Sequence, residues 1–213
     1  MEIRLEHYLR DEKPQLAQWA EKVIAKCSKR LKLEHARINI HSSYGWEENG
    51  SSGYCPSDTI IEISIDLHSP NLKYETFCFA LARQLYSLAR RQAGVNIDGT
   101  FLECLISEGL ADHFYHETYS KTPIWISELD KTEATKLLKK AAPHLEAYVD
   151  DKFFNEWFWM GSEKLKIAKW SGYSLGYALV SQILKKDKKL NSISFLDILA
   201  KEIADITVLY DKV

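Results

Sequence analysis

Residues Glu75–Gly94 read ETFCFALARQLYSLARRQAG, and Gly99–Thr118 read GTFLECLISEGLADHFYHET. The first stretch sets Phe77, Leu81, Leu85, Leu88 and Ala89 on one side of a helix. Arg83, Ser87, Arg90 and Arg91 share another stripe, which on spacing alone is an ordinary wet face. Gly94 supplies a stop. The second stretch opens on Thr100, a good N-cap. It places Glu108 and Asp112 four residues apart, so the two carboxylates share a helix face.

Outward from this pair, Lys13 to Leu33 carries Leu16, Trp19, Val23, Ile24, Cys27 and Leu31 at helical spacing. ARINIHSS (Ala36–Ser43) alternates apolar and polar residues and predicts a half-buried strand. TIIEISIDL (Thr59–Leu67) predicts a second strand, with Ile61, Ile63, Ile65 and Leu67 on one face. Between them SSYGWEENGSSGYCPSD (Ser42–Asp58) reads as a long loop. Further on, Pro123–Val149 reads as helical pieces on a charged surface, and FFNEWFWMG (Phe153–Gly161) is dense in aromatics. SGYSLGYALVSQILKK (Ser171–Lys186) and SISFLDILAKEI (Ser192–Ile203) predict two more helices, the latter opening Ser-x-x-Asp.

Strands first and helices after imply an α+β fold, a small β-sheet packed on a helical majority. A single domain over 1–213 is expected. It comprises an N-terminal helix within 1–35, the small sheet with its Gly/Ser-rich loop at 36–70, and a helical body at 71–213. That body contains the paired helices at 76–93 and 101–118.

With 213 residues, 46% of them hydrophobic, the chain can bury a real core. A formal charge of −2 excludes the strong basic field of a nucleic-acid binder and argues against an anionic membrane partner. Cys27, Cys55, Cys78 and Cys104 form no CxxC pair, and no run of about 18 apolar residues occurs. Free thiols in a reducing cytoplasm are the expected setting.

A zinc hydrolase of the HExxH type places two histidines at i and i+4 on one helix and a Glu after the first. That Glu takes a proton from the zinc-bound water. A third ligand, often Glu, comes from elsewhere, and a carboxylate one turn beyond it can orient a histidine. In the first helix here Arg83, Gln84 and Ser87 stand where His, Glu and His would be; the second offers Glu108 and Asp112.

Three stretches carry a family resemblance: GYCPSDTIIEIS (Gly53–Ser64), TFLECLISEGLADHF (Thr100–Phe114) and WFWMGSEKLKIAKWSGYSLGYALV (Trp157–Val180). Over roughly residues 36 to 200 the chain resembles the predicted zinc-dependent proteases of bacteria, a domain of uncharacterised function laid out like gluzincins. The resemblance implies a zincin-like metallopeptidase fold. It also implies that the family's A-H-E-L-x-H segment falls on ARQLYS (Ala82–Ser87). The ligand positions are then Arg83 and Ser87, and the general-base position is Gln84. Glu108 remains as a vestigial third ligand with Asp112 behind it.

Such a chain is expected to have lost its ancestral zinc and to be catalytically inactive, a pseudopeptidase whose cleft binds an unknown peptide or protein. Arg83 is expected to pair with Glu108, Asp112 or both in place of the metal. Tyr86, Trp170, Tyr173 and Tyr177 are candidate cleft residues. A phenol of GYSLGY is a candidate oxyanion donor, with core packing as its alternative.

Two rival readings stand beside this one. An active metal-dependent peptidase would use a relocated site, Glu108 with His113 or His116. Glu117 lies i+4 from His113, but His116 sits roughly 300° round the helix from it, so these groups converge only loosely. A purely structural protein would have its former cleft filled by side chains.

Overall fold

The computed structural model describes residues 1–43, 48–123, 125, 126, 129 and 131–203. The chain forms two compact units, residues 1–94 and 95–213.

The first unit begins with strand β1 (Glu2–Leu5) and helices α1 (His7–Glu12) and α2 (Gln15–Cys27). Strands β2 (Arg37–Ser43), β3 (Ser51–Tyr54) and β4 (Ile60–Asp66) follow, and helix α3 (Tyr74–Gln92) completes it. The four strands form one mixed sheet in the order β1-β2-β4-β3, parallel except where β3 runs antiparallel to β4. Ile38 and Ile40 sit beside Ile61 and Ile63 and are buried, as the period-two alternation requires. The opposite face is polar. There Asn39 Nδ2 donates to Glu62 Oε1 at 2.7 Å, and His41 Nε2 lies 2.9 Å from Ser64 Oγ.

The sequence pattern predicts β2 and β4 but not β1 or β3. It gives the N-terminal segment as helix alone and Ser51–Tyr54 as loop. SSGY has no strand propensity of its own; its extended state comes from the ladder with β4, where Ser51 pairs Ile65 and Gly53 pairs Ile63. Helix α3 starts where Thr76 Oγ1 accepts the Lys73 N–H at 3.1 Å, and it ends before Gly94 at φ +88°.

The second unit is helical. It contains α4 (Phe101–Tyr119), α5 (Lys131–Ala141) and a 3₁₀ turn at Ala142–His144. Next come α6 (Asp151–Phe154) running into a π turn at Asn155–Trp159, then α7 (Ser171–Leu184), a 3₁₀ turn at Ser192–Phe195 and α8 (Ala200–Ile203). Thr100 caps α4 through the Glu103 N–H. The unmet N–H groups of Phe101 and Leu102 reach the carbonyls of Ala147 and Leu145, both at 2.9 Å. The aromatic-dense stretch packs Phe153, Trp157 and Phe158 around Phe101.

The continuous helix expected over Ser192–Ile203 is broken in two. Both oxygens of the Glu117 carboxylate bind Ser192, through its N–H at 2.9 Å and its hydroxyl at 2.8 Å. Glu103 Oε2 takes the Ala200 N–H at 2.7 Å. Each acid of α4 thus fixes the start of one short segment, and Asn191 caps the first through the Ile193 N–H.

The main helix pair is α4 with α7, which cross at Gly109 and Gly176. A Cβ on either glycine would lie 2.3 Å from a carbonyl oxygen of the other helix. Gly109→Ala is therefore expected to cost about 1–3 kcal/mol by forcing the helices apart. That corresponds to a fall in Tm of roughly 2–4 °C per kcal/mol at this size. Scanning calorimetry of the variant against wild type checks this; an unchanged Tm would contradict the close crossing.

Candidate functional site

Arg83, Gln84 and Ser87 lie in the first unit on α3, and Glu108 and Asp112 lie in the second on α4. The wet-face reading of α3 is corrected. Arg83 is 3% exposed, Gln84 and Ser87 7%, and Arg90 0%. A 3.6-residue period cannot separate a wet cationic stripe from a buried one, because both repeat alike.

Within the first unit the Gln84 side chain has a defined partner. Gln84 Nε2 donates to the carbonyl of Gly53 on β3 at 2.9 Å. The Asp66 N–H donates to Gly50 O, so even-numbered residues of β3 face β4 and the Gly53 carbonyl faces the outer edge. The approach requires glycine: a Cβ at 53 would meet Gln84 Cγ at 2.9 Å and Ile63 Cδ1 at 2.6 Å. The Arg83 guanidinium stands over the Phe79 ring, 5.4 Å from its centroid.

This donor set does not fit zinc. Arginine carries a permanent positive charge, glutamine presents its amide N–H, and serine keeps its proton. Among the described residues no group of three or more His, Cys, Asp and Glu side chains gathers as metal ligands.

In the second unit Asp112 is fully buried, and its Oδ2 accepts the Trp125 indole N–H at 3.2 Å. Trp125 stacks on Tyr173, centroids 4.4 Å apart. Sequence reasoning missed Trp125, because nothing in its neighbourhood marks a bond to a residue thirteen positions earlier. Glu108 is half-buried one turn from Cys104. Burial, and then the charge of Glu108, push the Cys104 thiol well above its ordinary range, so it remains a protonated donor to Ile97 O.

Of the groups named for a relocated metal site, His113 commits one ring nitrogen to a structural bond. His113 Nε2 lies 3.1 Å from Tyr177 O and 3.0 Å from Ser181 Oγ. A carbonyl partner requires this nitrogen to carry the proton, which leaves it no lone pair for an ion. Glu117 is bound to Ser192.

Of the candidate cleft residues, Tyr86 and Tyr173 are buried. Trp170 is half-exposed at φ +63°, and Tyr177 is half-exposed with its ring stacked on His113 at 4.0 Å. Burial raises the Tyr177 phenol above its ordinary value, helped by the charges of Asp112 and Glu117, so it stays neutral. All four cysteines are buried and unbridged. No described helix is long and apolar enough to cross a membrane.

A profile of the family described as "Predicted Zn-dependent protease (DUF2268)" matches residues 16–205. The chain belongs to this family. The profile spans every stretch on which the resemblance was drawn, from Gly53 to Val180. No curated protein and no solved structure matches the chain. Where the resemblance expects the A-H-E-L-x-H segment, this chain reads ARQLYS, with Arg83, Gln84 and Ser87.

Two outcomes are expected. Gln84→Glu faces a carboxylate to the Gly53 carbonyl and should cost roughly 1–3 kcal/mol at neutral pH. Once protonated, the introduced carboxyl can donate, so the cost should shrink as pH falls toward about 4. Urea midpoints of variant minus wild type across pH check this, and a pH-independent difference would contradict the contact.

His113 is held below its ordinary value, first by burial and also by His116 and Lys185, against the pull of the Tyr177 carbonyl and Glu117. The unfolded chain therefore binds a proton that the fold refuses. Stability should be fully present above the unfolded value of about 6.5 and fall as pH drops through the folded one. His113→Gln should flatten that slope between about pH 7.5 and 5, read from urea midpoints.

Proposed function

We propose that the chain is a catalytically inactive relative of zinc metallopeptidases that binds a peptide or protein. The observation that carries this is the Gln84–Gly53 hydrogen bond. The side chain at the base's position spends its donor on a backbone carbonyl and offers no carboxylate to take a proton from water. Arg83 and Ser87 beside it supply no imidazole, and the charge of Arg83 takes the place the family gives to an ion. The four buried thiols suit a reducing interior such as the cytoplasm. A plain structural role is the second reading, favoured by the burial of Tyr86 and Tyr173 among the candidate cleft residues.

Restoring the lost residues tests the first reading. The wild-type chain should carry far less than one zinc per molecule by elemental analysis. Arg83→His with Gln84→Glu and Ser87→His should bind zinc with a dissociation constant on the order of micromolar. Arg83→His with Ser87→His alone, Gln84 kept, controls for the loss of the Gly53 contact. Stoichiometric zinc in the wild-type chain would overturn inactivity. Well-folded variants without zinc affinity would overturn the assignment of positions 83 and 87.

A further inference from the structure

The outer strand β1 in the first unit has a surface that no role above uses. The Glu2 N–H donates to Ala36 O at 2.8 Å and the Glu6 N–H to Ile40 O at 2.9 Å. Even-numbered residues of this strand therefore face β2, and by the alternation of a strand the N–H and C=O of Ile3 and Leu5 point to the open edge. The side chains of Ile3 and Leu5 are only half-buried, whereas their ladder partners Ile38 and Ile40 are enclosed. With Arg10, Pro14, Ala17 and Glu21 they line a groove of about 390 Å³.

We propose that this edge pairs with β1 of a second copy of the chain, antiparallel, about a two-fold axis at Ile3. Charge selects the occupant, and charge together with the start of α1 selects the register. A two-fold axis normal to the sheet must pass through a residue, so that facing side chains share a face. At Glu2 it would set Glu2 against Glu2. At Arg4 it would set Arg4 against Arg4 and Glu2 against Glu6. At Ile3 it sets Glu2 of each copy against Arg4 of the other.

In that register Ile3 faces Ile3 as a hydrogen-bonded pair, using the two outward backbone groups. Glu2 and Arg4 fall on the narrow pairs, with Cα atoms about 4.5 Å apart, where side chains meet most closely. Within one chain Arg4 Nε already lies 2.7 Å from Glu2 Oε1, and Arg37 Nε 3.5 Å from Glu2 Oε2. The dimer exchanges the first contact for its cross-strand equivalent. Ile3 and Leu5 of both copies then line one continuous apolar strip. Arg10 and Glu21 give its wall both signs of charge, so the copies do not repel. The same charged residues that usually keep an edge strand apart here oppose the registers centred on Glu2 and on Arg4, and an axis at Leu5 would set Ile3 against His7, where the chain has already entered α1.

A four-residue edge makes a small interface, so the dimer is weak, with a dissociation constant on the order of 100 µM. Sedimentation velocity of the full chain from about 10 µM to about 1 mM tests it. The weight-average mass is expected to climb toward twice that of the monomer. Glu2→Arg and Arg4→Glu, both at exposed positions, should each weaken association by about tenfold or more, with unchanged circular dichroism. The double exchange Glu2→Arg with Arg4→Glu should restore it. A monomer at every concentration would overturn the proposal. So would a dimer indifferent to Glu2→Arg, a double exchange that fails to recover, or an edge that takes an unrelated extended peptide while the chain itself stays monomeric.

Discussion

The backbone contact between Gly109 and Gly176 fixes α4, and α4 carries most of the chemistry-bearing side chains of the second unit. With no Cβ on either helix the two backbones approach as closely as helices can. Every other residue of α4 then has a determined direction. His113, one turn on, meets the Tyr177 carbonyl and ring. Asp112 turns instead to the Trp125 indole. Glu103 and Glu117, near the two ends, take backbone N–H groups of the segment from Ser192 to Ala200. A helix buried on all sides has no amphipathic stripe, because it packs against neighbours all round. Glu103, Asp112 and Glu117 are held by hydrogen bonds to distant segments.

In the first unit the Gln84 side chain makes a contact that a glutamate there could not make. A glutamate at position 84 would offer a carboxylate; the glutamine offers an N–H. That N–H reaches the outward carbonyl of Gly53, and the edge strand β3 is tied to α3 as a result. A peptide adding to that edge meets a carbonyl already engaged, so the two edges of the sheet are unequal. β3 is tied down, whereas β1 still presents the backbone of Ile3 and Leu5.

The helices α2, α3 and α7 were legible because each carries enough apolar residues at a 3.6-residue period, with Gly94 ending α3, whereas α4, lacking such a stripe, was legible from the Thr100 cap at its start. The strands β2 and β4 were legible because isoleucines alternate with polar residues. β1 and β3 were not. Each has only four residues, and SSGY contains nothing that prefers extended backbone. The break between Ser192 and Ala200 was hidden for another reason. It is imposed by Glu117 and Glu103, which lie 75 and 97 residues away in sequence.

Sequence alone determined the family and that α3 carries Arg83, Gln84 and Ser87 at i, i+1 and i+4, since both are matters of residue type and spacing along one chain. It also determined that Glu108 and Asp112 share a face, because a helix repeats every 3.6 residues whatever surrounds it. Only the tertiary structure decided what those side chains do. Whether Arg83 is wet or enclosed, what Gln84 donates to, and which group holds Asp112 depend on neighbours from distant segments. Periodicity specifies a face but not what is packed against it.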